Sequence, residues 1–105
     1  MKTFTQYQSE AMAFRLKTAD DIYALLNLAG EVGELLSHEA KGRRDGYNLA
    51  EHRENLKKEL GDILWMVTAI AEDNALSLEE IALGNIIKLS GRKAQGTISG
   101  SGDNR

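Results

Sequence analysis

Cysteine and proline are both absent from the 105 residues. Without cysteine, neither a disulfide framework nor a thiolate metal site is available. Without proline, nothing in the chain forbids long helices. No apolar run approaches the roughly 18 residues of a membrane span, because charge cuts the longest ones. The opening MKTFTQYQSEAM lacks the apolar core of a secretory signal, so a cytoplasmic protein with no membrane partner is expected. Excess charge is slight and negative, −3; a binder of nucleic acid polymer is normally basic overall. Also missing are a GxxxxGK[ST] phosphate loop and the Glu-x-x-His pairs of di-iron bundles. A nucleotide ligand would therefore be held through a metal, and redox iron is disfavoured.

What is present is helical periodicity. The length suits one domain, and 42% of the residues are apolar. Thr3 with Gln6 reads as a capping box opening a first helix that runs to about Lys17. Asp20 or Asp21 starts a second helix, closed near Lys41 by Gly42. GRRDGY is a turn, and Asn48 with Glu51 opens a third helix to about Asn74. Ser77 with Glu80 starts a fourth, to about Ala94. The expectation is an all-α fold with a four-helix bundle-like protomer, a helical domain over residues 1–96 and a Gly/Ser-rich loop or tail over 97–105.

Four carboxylates break the apolar pattern in two pairs: Glu31 and Glu34 in LNLAGEVGELL, then Glu59 and Asp62 in LKKELGDILWMV. Residues three apart on a helix share a face. If the two helices pack side by side, four negative charges meet where desolvation and repulsion are both costly. A hard divalent cation removes both penalties, and an all-oxygen donor set suits Mg2+ or Mn2+.

Around these acids, Ile22, Leu26, Ala29, Gly33 and Leu36 form a stripe expected to be buried, with Asn27, Glu31, Glu34 and His38 on another side. That apolar surface is wide for a small monomer and suggests burial by the bundle and by a partner chain. Gly30 and Gly33 bracket Glu31, either for tight packing or for ligand room. Leu56, Leu60, Ile63, Val67 and Ile70 are the expected core stripe of the third helix. Trp65 points away from it, better suited to an oligomer contact than to stacking on a base. His38, one turn beyond Glu34, reads as an exposed or satisfied histidine rather than a ligand. On the fourth helix Asn85, Lys88 and Arg92 lie in one line, an amide, an ammonium and a guanidinium suited to phosphate oxygens.

In LAGEVGELL, KKELGDILW and the later NIIKLSGRKAQGTISGSGDNR the chain resembles the MazG-like, all-α nucleoside triphosphate pyrophosphohydrolases. The 24 residues between Glu34 and Glu59 fit that family's spacing, and TFTQYQSEA is similar to the first helix of its small members. The resemblance implies that Glu31, Glu34, Glu59 and Asp62 are catalytic Mg2+ ligands and that Asn85, Lys88 and Arg92 bind substrate. It implies hydrolysis of a nucleoside triphosphate to monophosphate and pyrophosphate by a homodimer or homotetramer, in pool sanitation or signalling. A phosphoribosyl-ATP pyrophosphohydrolase and a non-catalytic nucleotide-binding helical module are the alternatives.

Overall fold

The computed structural model describes residues 2–99. Four α-helices make up the fold, α1 (Phe4–Met12), α2 (Asp21–Asp45), α3 (Leu49–Asp73) and α4 (Leu78–Gln95), and the described residues contain no strand. All four starts are capped as the sequence suggests. The Thr3 hydroxyl accepts from the Gln6 amide while the Gln6 side chain accepts from the Thr3 amide. Asp20, Asn48 and Ser77 each accept from the backbone amide three residues on, which satisfies an amide that the first turn leaves without a partner.

Two ends differ from expectation. Helix α1 stops at Met12, well short of Lys17, because Arg15 organises the connection instead: its guanidinium donates to the Ala19 and Asp20 carbonyls and pairs with Asp73 of α3. Helix α2 continues through Gly42 to Asp45 and is closed by Gly46, whose φ of +86° suits glycine. Gly42 serves packing: a Cβ there would land inside the Tyr47 ring.

α2 and α3 form a long antiparallel hairpin, α1 lies across α3, and α4 packs on α1. The side of α2 turned to α3 carries buried Ala24 and half-buried Asn27, Leu28, Glu31 and Leu35. The expected stripe is on the other side and is exposed, with Ile22 at 58%, Leu26 at 70% and Leu36 at 62%. α2 is apolar on two sides, and period alone does not rank them. On α3, Met66, Thr68, Ala69 and Ala71 are buried, whereas Leu56 and Leu60 of the expected stripe are exposed. Trp65 turns into the chain rather than away from it: its indole N–H donates to the Ala11 carbonyl at 3.0 Å and holds α1. Residues 100–105 of the expected tail lie outside the described residues.

Candidate metal centre

The seam of the hairpin gathers the acids. α2 contributes Glu31 and Glu34 from adjacent turns, and α3, running the other way, contributes Glu59. One carboxylate oxygen from each lies within 4.8 Å of the others. Glu31 and Glu59 are half-buried and Glu34 is exposed, so the cluster opens to solvent on the Glu34 side. Asp62, one turn along α3 from Glu59, stands outside this group of three, but its charge acts on Glu31 and on Tyr7 of α1.

Electrostatics and hydrogen bonding both leave the cluster incomplete. Burial raises the Glu31 carboxyl above its ordinary value; the charges of Glu34, Asp62 and Glu59 push the same way, and Asn27 opposes them. Glu31 Oε2 and Glu59 Oε2 are shut away from solvent without a hydrogen-bond partner. A buried unpartnered acceptor costs about 1–3 kcal/mol, and more when charged. The opposite oxygens are held: the Asn27 amide reaches Glu31 Oε1 at 3.5 Å, and His38 Nε2 lies 3.2 Å from Glu59 Oε1. Two carboxylates are thus oriented by one oxygen and leave the other unmatched. Three converging carboxylates with unmatched oxygens fit a hard divalent cation, which prefers oxygen donors and supplies the missing charge.

The histidine is the residue that sequence reasoning undervalued. Its position one turn beyond Glu34 was the available signal, but only the antiparallel pairing carries it to Glu59. Gly33 has open space where a Cβ would be, and a Cβ at Gly30 would make ordinary contact with Asn27. Tight packing within the chain therefore does not account for this glycine pair. The residues of α4 lie on a different part of the molecule, since α4 packs on α1. Asn85 and Lys88 are exposed there, and Arg92 is buried.

Four helices with an all-carboxylate cluster in a hairpin seam define an all-α protein equipped with donors for a divalent cation. The sequence comparison narrows this class. The chain belongs to the MazG nucleotide pyrophosphohydrolase domain family, whose model matches residues 22–97, the span from α2 to just beyond α4. Members of this family generally depend on a divalent metal. The chain is also 40% identical over 85 residues, 79% of its length and 75% of the other protein's, to the Gene 37 protein of Mycobacterium phage L5. No solved structure matches it. None of the described helices is long and apolar enough to cross a membrane.

Proposed function

We propose that this chain hydrolyses nucleoside triphosphates to the monophosphate and pyrophosphate, using Mg2+, or Mn2+ in its place, held by Glu31, Glu34, Glu59 and Asp62. The observation that carries the reading is the convergence of Glu31, Glu34 and Glu59 within 4.8 Å, with two of their oxygens unpartnered. Bound there, the ion would supply positive charge to the triphosphate and to the attacking water. The chain's own residues do the rest. Asn27 and His38 fix the carboxylates of Glu31 and Glu59. Glu34, the solvent-facing member, accepts the proton of the water as it attacks the α-phosphorus. A new P–O bond forms there, and the bond to the bridging oxygen breaks to release pyrophosphate. Asn85 and Lys88 on α4, which lie away from the cluster within one chain, reach the departing phosphate oxygens from a second copy; Arg92, buried in the same helix, is the weaker member of this set.

The active species in this reading is a homodimer or homotetramer. The radius of gyration of 16.6 Å exceeds the roughly 13 Å of a compact domain of this length. Long aliphatic side chains stand exposed along α2 and α4, Leu26 and Ile87 among them, and patches of that kind mark association surfaces.

Pyrophosphate release from a panel of triphosphates, with Mg2+ and with EDTA, tests the reaction. Glu59→Gln should lower kcat by at least about 100-fold, more than the loss of an outer partner of a metal site costs, while its circular dichroism matches that of the parent. Release that persists in EDTA, or full activity in Glu59→Gln, removes the reading.

A further inference from the structure

Beside the acid cluster, the closed end of the α2–α3 hairpin frames a half-open cavity of about 150 Å³. The cavity and the cluster share Glu59, so a molecule filling the cavity touches the cluster's edge. His38 stands at the same boundary, lining the cavity while its Nε2 approaches Glu59 Oε1 at 3.2 Å. The far wall is aromatic: Tyr47 and His52 have ring centroids 4.4 Å apart at 55°. The Tyr47 hydroxyl donates to the Glu39 carbonyl and its ring lies over Gly42, so this wall is braced. Asn55 brings a side-chain amide with both donor and acceptor capacity.

An aromatic wall, the amides of Asn48 and Asn55 and an opening onto carboxylates are the chemistry that recognises a heterocyclic base whose phosphates sit on the metal. Volume decides which base. An enclosed cavity of about 150 Å³ accepts benzene in an otherwise unrelated protein, so the walled part of this one matches a single ring. A second apolar cleft, lined by Phe14 and Trp65, is larger and more open, about 570 Å³. Its indole donor is committed to the Ala11 carbonyl, its Lys2 ammonium to Glu10 and its Tyr7 hydroxyl to Thr68, so it offers less with which to read a base edge.

We infer that the hairpin-end cavity is the nucleobase pocket and that it takes a single-ring base, which makes the substrate a pyrimidine nucleoside triphosphate. This rests on the hydrolytic reading above but has its own readout. The test is an amide chemical-shift titration of the full chain with CMP, UMP, AMP and GMP, paired with kcat and KM for the corresponding triphosphates. Pyrimidine monophosphates should shift Gly42, Gly46, His52 and Asn55 and bind at least tenfold tighter than the purines. His52→Ala and Asn55→Leu should each raise KM for CTP or UTP about tenfold and leave kcat within a factor of three. Shifts centred on Phe14 and Trp65, a KM increase in Phe14→Ala alone, or purines bound as tightly as pyrimidines overturn the inference. Pyrimidine binding at the hairpin end without pyrophosphate release upholds the pocket and removes the hydrolytic reading instead.

Discussion

Glu31 is the acid of the cluster whose charge is most plainly opposed, since burial and three neighbouring acids all disfavour its charged form. Its folded-state pKa is raised, so between the ordinary value of 4.5 and the raised one the folded chain holds more protons than the unfolded chain. Stability from this group is therefore present below pH 4.5 and lost as pH rises through the folded value. Glu31→Gln should raise the stability of the metal-free protein at pH 7 while abolishing turnover. The gain should shrink on acidification towards pH 4, as read by urea melts in EDTA. Gly42 is constrained in another way. Gly42→Ala drives a methyl into the Tyr47 ring and should cost about 2 kcal/mol in the same melts. At this scale the sequence revealed the acids, because their spacing is helical and their apolar context unusual. It concealed the partners, since the approach of His38 to Glu59 depends on how two helices register across a turn.

Among the elements, starts were more legible than stops. A cap is a single polar side chain acting three residues ahead, whereas a stop can be made from afar, as Arg15 and Asp73 help to do beyond α1. The ends of α3 and α4 share one pattern, which a glycine announces only in α4. In α4 the Thr97 amide donates to the Arg92 carbonyl and the Gly96 amide to that of Lys93, with Gly96 at φ +71°. In α3 the Leu76 amide donates to Ala71 and the Ala75 amide to Glu72, with Ala75 at φ +55°. Both are closures through a left-handed residue, and in α3 an alanine occupies the place that glycine fills without steric penalty. Ala75→Gly should stabilise the protein by about 1 kcal/mol, seen as a higher thermal midpoint with activity unchanged. Trp65→Phe keeps one aromatic ring and removes the five-membered ring with its bond to the Ala11 carbonyl. It should cost about 1 kcal/mol and loosen α1 without unfolding the hairpin.

For the whole molecule, the all-α class was legible because long amphipathic segments and capping residues agreed with one another. The arrangement was less so. α2 has apolar residues on two sides, and the one buried within the chain is the side that also carries Glu31 and Asn27. An apolar face pointing outward and one pointing inward leave the same trace in a sequence; only the partner distinguishes them. Leu26 is 70% exposed, so Leu26→Asp should leave the protomer folded and shift the protein to a smaller species in sedimentation velocity. Unchanged sedimentation would move the association surface away from α2.

The Gln8 side chain has a longer reach than its size suggests. Its amide nitrogen donates to Glu72 and to the Leu76 carbonyl, and its oxygen accepts from the Leu78 amide. Thr5 adds a bond to Glu79 in the same turn of α4. One glutamine thus spans the α3–α4 junction, and α4 is moored at its first turn while much of its remaining length is exposed. In deuterium exchange, the amides of α4 beyond that turn should label through local opening well before those of the α2–α3 hairpin. Their protection should rise with protein concentration as copies associate, making the labelling rate of a single helix a direct gauge of assembly.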